Sequence, residues 1–211
     1  MTHFSDMLAG YARFRANEWV SEREQWEKLG EGQSPKVMVI ACSDSRVDPT
    51  QIFDTRPGEI FVVRNVAALV PPFETTPGRH GVSAALEFAV QFLKVEEILV
   101  MGHGYCGGCQ AALSRAMDGM EPGEGGFIAN WSSLPDEAQA KVAQTHGIHG
   151  DAAERAMEME AVKVSLANLR TFPCVRQKEK SGELTLHGAV FAISDGLLRV
   201  LDETSGDFSA V

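Results

Sequence analysis

The chain is organised around one uninterrupted apolar segment, Lys36-Val-Met-Val-Ile-Ala41, which continues into Cys42. A segment in which apolar residues do not alternate with polar ones is typical of a strand buried on both faces of a parallel sheet. Two similar segments, Glu59-Ile-Phe-Val-Val-Arg64 and Glu97-Ile-Leu-Val-Met101, predict two further strands. The alternating pattern from Leu184 to Leu201 predicts two closing strands around a turn.

Helical spacing of apolar residues is found between these strands. It predicts helices over residues 79–94, from just after Cys106 through Met117, and over residues 151–171. Residues 119–136 hold several Gly and Pro and are expected to form a loop. Strands that alternate with helices indicate an α/β fold with a central, mostly parallel β-sheet flanked by helices.

The N-terminal residues have a different pattern. Apolar side chains recur every three to four positions over residues 3–28, which predicts an amphipathic helix broken near Asn17. We expect residues 1–30 to form an N-terminal helical arm of a single domain spanning residues 1–211.

Composition excludes several classes of partner. The chain has 19 Lys and Arg against 29 Asp and Glu, which gives a formal net charge of −10. Such a charge repels nucleic-acid phosphates, so no nucleic-acid partner is expected. No apolar run approaches the length of a membrane span, and no export signal is visible at the N-terminus, so no membrane partner and a cytoplasmic location are expected. Four cysteines in such a chain suggest metal ligands or catalytic thiols rather than a disulfide framework.

Metal-binding residue types follow two of the predicted strands. The first strand leads into Cys42-Ser-Asp-Ser-Arg46, and the third leads into Gly102-His-Gly-Tyr-Cys-Gly-Gly-Cys109. Because ligands bind beyond the carboxyl ends of parallel strands, the two motifs should meet at one edge of the sheet. Thiolates and imidazoles are preferred zinc ligands, and a catalytic zinc keeps one position open. We therefore predict a zinc site made by Cys42, His103 and Cys106.

The same motifs allow other interpretations. Cys106 and Cys109 form a Cys-x-x-Cys pair, which also suits a thiol oxidoreductase. In the zinc interpretation, Cys109 is a buried residue on the first turn of a helix. A non-enzymatic module stabilised by zinc is a further alternative. A purely structural zinc has four protein ligands and no open position, so the Asp44 and Arg46 pair disfavours that alternative.

Asp44 and Arg46 are two residues apart, and a guanidinium can hold a carboxylate through two parallel hydrogen bonds. If Asp44 lies beside the zinc, pairing with Arg46 leaves the fourth metal position to water. Loss of that pairing would let Asp44 become the fourth ligand and close the site.

Together, four motifs resemble the β-class carbonic anhydrases: Ala41-Cys-Ser-Asp-Ser-Arg-Val47, Pro57-Gly-Glu59, Phe61-Val-Val-Arg-Asn65 and Gly102-His-Gly-Tyr-Cys-Gly-Gly108. The resemblance implies reversible hydration of CO2 to bicarbonate and a proton by zinc-bound hydroxide, with one Zn2+ per chain. It also implies a catalytic Asp–Arg dyad and a homodimer or higher homo-oligomer contacted by the N-terminal arm. Hydrolysis of a CO2-like molecule, such as CS2 or COS, is the alternative within this family shape.

The resemblance further implies a substrate pocket of the plant-like subtype. Its expected lining residues are Gln33, Phe61, Val66, Phe88 and Gly107. Plant members carry Tyr at the position of Phe88, so this chain offers an apolar wall there instead of a hydroxyl.

Overall fold

The computed structural model, which describes residues 2–211, contains one six-stranded sheet. The strands are β1 (Val37–Cys42), β2 (Ile60–Asn65), β3 (Glu97–His103), β4 (Thr185–Phe191), β5 (Leu198–Asp202) and β6 (Asp207–Ala210). Their order across the sheet is β2-β1-β3-β4-β5-β6. The first four strands in this order are parallel, and β5 and β6 continue the sheet in antiparallel pairing. The predicted α/β fold with a mostly parallel sheet is thus confirmed.

Ten α-helices are found among the described residues. They are α1 (Phe4–Ala16), α2 (Glu18–Ser21), α3 (Arg23–Glu31), α4 (Pro49–Ile52), α5 (Gly81–Glu87), α6 (Gly107–Ser114), α7 (Gly126–Ser132), α8 (Asp136–His146), α9 (Asp151–Leu169) and α10 (Pro173–Ser181). A π-helical segment, Phe88–Leu93, continues α5, and a 3₁₀ turn, Val66–Ala68, follows β2.

The prediction of a loop over residues 119–136 is wrong for the second half of this range, where α7 forms. Gly125, at a φ of 128°, precedes α7, and Trp131 of that helix packs against a buried apolar cluster. Gly and Pro composition indicated a loop, but the partly buried Trp131 side chain, which packs on this cluster and donates to the carbonyl oxygen of Val66, favours a short helix. The helix after Cys106 is also shorter than predicted, because Arg115 adopts a left-handed conformation and ends α6 at Ser114. Neither α10 nor β6 was expected from the apolar pattern.

The first strand divides its side chains between the two faces of the sheet. Met38 and Ile40 join one buried apolar cluster, whereas Val39 and Ala41 join another. Helix α9 packs across β3 and β4. The close packing of α9 on β4 depends on Gly188, because an added Cβ there would lie 2.9 Å from side-chain carbons of both Val162 and Leu166.

The chain separates into two units, Met1–Ser34 and Pro35–Val211. In the first unit, α1 ends at Asn17, whose side-chain amide donates to the carbonyl oxygen of Arg13 at 2.8 Å, so the predicted break is present. Phe14 and Trp26 pack edge to face, with ring centroids 5.5 Å apart. Four apolar side chains of α1 are largely exposed: Phe4, Met7, Leu8 and Tyr11.

No helix within residues 2–211 combines the length and the apolar character that a membrane crossing requires.

Candidate metal centre and active site

Two neighbouring parallel strands bring the metal-binding side chains together. β1 pairs with β3 in a register that places Ala41 beside Met101, so Cys42 and His103 lie at the same edge of the sheet. Cys106 follows in the turn before α6. The ligand atoms of Cys42, His103 and Cys106 all lie within 4.8 Å of one another, and all three residues are buried. The two sulfur atoms are 4.0 Å apart.

The tautomer of His103 follows from its hydrogen bonding. Nδ1 lies 2.9 Å from the carbonyl oxygen of Gly104, which can only accept, so Nδ1 carries the proton. Nε2 therefore presents a lone pair; it is buried and has no hydrogen-bond partner among the described residues. An orphaned acceptor beside two thiols is the arrangement that a metal ion satisfies, and the backbone bond at Nδ1 is typical of metal-ligating histidines.

The two thiols need a cation in order to ionise together. Without one, the hydrogen bond with Cys106 and burial raise the pKa of Cys42 to about 12. The hydrogen bond with Cys109 and burial likewise raise the pKa of Cys106 to about 12. A divalent cation between the sulfur atoms reverses this preference, because a coordinating thiol is deprotonated outright. One nitrogen and two sulfur donors suit zinc better than calcium or magnesium, which prefer oxygen.

Asp44 lies beside this group and is held by Arg46. Both the backbone N–H and Nε of Arg46 donate to Asp44 Oδ1 at 2.9 Å, and Nη2 donates to Oδ2 at 2.7 Å. These bonds hold the pKa of Asp44 well below its usual range. Arg46 also donates to the carbonyl oxygen of Tyr105 at 3.0 Å, which ties the two motifs together. Asp44 Oδ2 lies 3.9 Å from His103 Nε2, so a carboxylate oxygen faces the metal-binding group while bonded to the guanidinium.

Arg64 is a functional residue that we did not predict from the sequence. Its guanidinium donates to the carbonyl oxygens of Cys42, Asp44 and Val47 at 2.9, 2.7 and 3.1 Å. It also donates to Asp48 Oδ2 at 3.1 Å. Arg64 therefore fixes the backbone on which Cys42 and Asp44 lie. The signal in the sequence is a basic residue at the end of an apolar strand, since a charge in such a place needs buried acceptors.

Glu158 was also missed. It lies on α9, is 3% exposed, and accepts a hydrogen bond from the backbone N–H of Cys106 at 3.2 Å. Burial raises the pKa of Glu158 to about 7. The sequence feature that could have indicated Glu158 is a charged residue on the apolar face of the helix, between Met157 and Ala161, both of which are buried.

The expected pocket residues fall into three groups. Val66 and Gly107 lie close to the metal-binding residues, directly after β2 and at the start of α6. Phe61 and Phe88 contact each other, with ring centroids 6.0 Å apart. Phe61 of β2 pairs with Met38 of β1. Met38 lies four positions before Cys42, so the distance between these two residues along the strand is about 13 Å. Within one copy of the chain these two rings therefore lie toward the opposite end of the strands. Gln33 belongs to the first unit, and its role stays a prediction.

Comparison with known proteins gives a consistent result. A family model described as carbonic anhydrase matches residues 37–198. Beta carbonic anhydrase 5, a chloroplastic protein of Arabidopsis thaliana, is 37% identical over 193 residues, which are 91% of this chain and 62% of that protein. This chain thus spans less than two thirds of the plant relative. A carbonic anhydrase of Pseudomonas aeruginosa is 38% identical over 204 residues, which are 96% of this chain and 90% of that protein.

Solved structures show the same fold. The beta-carbonic anhydrase CcaA matches with a TM-score of 0.91 and 29% identity, over 99% of this chain and 92% of that one. A structure described among two tetrameric beta-carbonic anhydrases of the filamentous ascomycete Sordaria macrospora matches with a TM-score of 0.80 and 27% identity, over 98% of both chains. The family match, the relatives and the shared fold agree with the geometry of the site, and this chain belongs to the β-class carbonic anhydrases.

Proposed function

We propose that this protein catalyses the reversible hydration of CO2 to bicarbonate and a proton, with one zinc ion held by Cys42, His103 and Cys106. The observation that carries the proposal is the buried group of one unpartnered imidazole nitrogen and two thiols beside an arginine-held carboxylate. When bound, zinc supplies a Lewis acid that lowers the pKa of water toward neutrality.

The donor set predicts the pH dependence of the reaction. Cys42 and Cys106 bring two negative charges as thiolates, which cancel the charge of a divalent cation, whereas three neutral imidazoles would leave it in place. A neutral centre acidifies water less strongly. We therefore expect CO2 hydration to rise toward alkaline pH, with an apparent pKa above that of an all-histidine zinc site.

Asp44 and Arg46 have different roles in orienting the reacting group. Asp44 accepts a hydrogen bond from the reacting hydroxyl group and so directs its lone pair toward CO2. Arg46 occupies both carboxylate oxygens, which leaves Asp44 beside the metal-binding group without making it a ligand. With Asp44 held in this way, Cys42, His103 and Cys106 would be the protein ligands of a bound zinc, and loss of the pairing would let Asp44 become a further ligand.

The substrate pocket must be apolar for CO2 and offer hydrogen bonds to bicarbonate. Val66 contributes an apolar side chain and Gly107 a backbone N–H from the same copy. Because Phe61 and Phe88 lie toward the other end of the strands, they would line the site only across an interface between two copies. Gln33 is proposed as the hydrogen-bond donor to bicarbonate.

A pocket lined by residues from both ends of the strands requires two copies of the chain. Phe88 is 44% exposed and Phe92 is 71% exposed, and large exposed aromatic surfaces are typical of interaction sites. The two beta-carbonic anhydrases of Sordaria macrospora are described as tetrameric. We propose a homodimer or a larger homo-oligomer with the N-terminal arm as a further contact. The cytoplasmic location stays a prediction.

Stopped-flow measurement of CO2 hydration tests the proposal on the wild type and on Asp44→Asn, with metal content measured on both. We expect about one zinc per chain in each protein, activity in the wild type that rises between pH 6 and 9, and a large loss in Asp44→Asn. Equal rates in the two proteins would remove Asp44 from catalysis. A zinc-loaded wild type that releases sulfide from CS2 or COS but does not hydrate CO2 would support the alternative substrate class.

A further inference from the structure

The 3₁₀ turn Val66–Ala68 has an unfavourable backbone conformation. Ala67 and Ala68 have φ angles of 63° and 54°, in the left-handed region that L side chains disfavour. Both residues are buried, and neither is a glycine. Two consecutive residues of this kind persist only where the surrounding structure holds them, and such places are concentrated at functional sites.

Asn65 holds the turn from its two ends. Its side-chain Nδ2 donates to the carbonyl oxygen of Leu69 at 2.9 Å, and its Oδ1 accepts from the backbone N–H of Leu69, also at 2.9 Å. The amide group therefore closes residues 65–69 into a loop through one donor and one acceptor. No other side chain of the same size offers this pair of bonds without a net charge.

Distant parts of the chain hold the same turn. Trp131 Nε1, from α7, donates to the carbonyl oxygen of Val66 at 2.8 Å. Ser165 Oγ, from α9, donates to the carbonyl oxygen of Ala68 at 3.3 Å and accepts from the N–H of Val70 at 3.2 Å. The helix α6 presses against the turn at Gly108, where an added Cβ would lie 2.6 Å from Val66 Cγ1.

The left-handed conformation directs one N–H group at a metal-binding atom. The backbone N–H of Ala67 donates to Cys42 Sγ at 3.4 Å. We propose that the turn is a preorganised hydrogen-bond donor to the Cys42 sulfur, and that Asn65 and Trp131 are positioning residues that keep it there. This inference rests on the proposed role of Cys42 as a zinc ligand.

The bond has an electronic consequence. A hydrogen bond to a thiolate withdraws electron density from the sulfur, so Cys42 transfers less negative charge to the metal. Groups that hydrogen-bond to ligands tune the metal that those ligands hold. The turn therefore restores part of the positive charge that two thiolates cancel.

Cobalt substitution tests the inference without an activity measurement. Co(II) replaces zinc in the wild type, Asn65→Ala and Trp131→Phe, and the thiolate-to-cobalt charge-transfer band is recorded together with the metal affinity by chelator competition. The matched control is Trp26→Phe, the same kind of change in the first unit, where the ring packs edge to face with Phe14, whereas the turn belongs to the second unit. Trp131→Phe keeps most of the ring packing, so it carries the test if Asn65→Ala does not fold.

We expect the band to move to lower energy in both turn variants, because a sulfur without its N–H donor gives up charge more easily. The chelator competition confirms that each variant binds the metal, and Trp26→Phe should keep the wild-type band. Folded turn variants that bind cobalt with an unmoved band would overturn the inference and leave the proposed zinc site standing. A wild type that binds cobalt without any thiolate band would overturn both.

Discussion

Asp44 and Arg46 form a bidentate ion pair in which Nε and Nη2 of the arginine contact the two carboxylate oxygens at 2.9 and 2.7 Å. The pair lies beside the metal-binding group, with the Asp44 side chain 18% exposed and the Arg46 side chain 48% exposed. Its position beside this group therefore distinguishes it from ordinary surface ion pairs, which contribute little to folding stability. In the proposed function, the guanidinium would decide whether the carboxylate orients a reactant or binds the metal.

Replacement of Arg46 should therefore lower the rate without removing the metal. Arg46→Gln cannot occupy both carboxylate oxygens, so Asp44 is free to become a fourth ligand. We expect kcat/KM for CO2 hydration to fall about 10²-fold or more, the usual scale for a misplaced orienting group, with zinc content unchanged. The control is Arg199→Gln, which breaks another ion pair, with Asp195. A rate close to that of the wild type for Arg46→Gln would contradict the assigned role.

The two cysteines around α6 should behave differently. Cys106 contributes a sulfur to the metal-binding group, whereas Cys109 is buried on the helix and is not one of the three grouped residues. We expect Cys106→Ser to lose both zinc and CO2 hydration, and Cys109→Ser to retain both, as measured by metal analysis and stopped-flow rates. A wild-type protein that is redox-active and holds no metal would instead favour the thiol oxidoreductase.

A charge placed on the exposed aromatic surface should weaken self-association. Phe88 and Phe92 stack with ring centroids 5.7 Å apart, and burying the more exposed ring of Phe92 against a second copy would remove apolar area from water. We expect Phe92→Glu to yield smaller species by size-exclusion chromatography with light scattering, and to lower CO2 hydration because the pocket is shared. Met120→Glu, at an exposed apolar side chain in the loop before α7, serves as the control. An unchanged mass for Phe92→Glu would place the interface elsewhere.

The contribution of Glu203 to stability should depend on pH. Arg170 donates to Glu203 at 2.7 and 2.9 Å and also binds Glu179, and its hydrogen bonds lower the pKa of Glu203 below the ordinary 4.5. A carboxyl group whose pKa is lower in the folded state stabilises the fold above its ordinary pKa, and this stabilisation is lost as the pH falls through the lower, folded-state pKa.

We therefore expect Glu203→Gln to be less stable than wild type at neutral pH, by at most about 1 kcal/mol since the pair is partly exposed. The difference should shrink toward zero in acid below the folded-state pKa. Urea unfolding of both proteins across this range measures it. A difference that grows as the pH falls would show that the sign is wrong.

The glycine-rich segment before α8 shows where sequence patterns failed. Its composition predicted a loop, yet α7 forms there and carries Trp131 to the carbonyl oxygen of Val66, 65 residues away in sequence. Composition reports local backbone preference, and in this segment the tertiary contacts of one partly buried aromatic side chain outweigh that preference.

The sequence by itself determined the features that depend on short-range periodicity and spacing. These are the apolar strands, the placement of Cys42 and His103 at strand ends, and the Asp44–Arg46 pair two residues apart. Only the tertiary structure decided which distant groups support them: Glu158 on the N–H of Cys106, 52 residues away, and the left-handed turn that directs Ala67 at Cys42. Such contacts depend on how helices pack across the sheet, and packing is a property of the whole chain that no local pattern encodes.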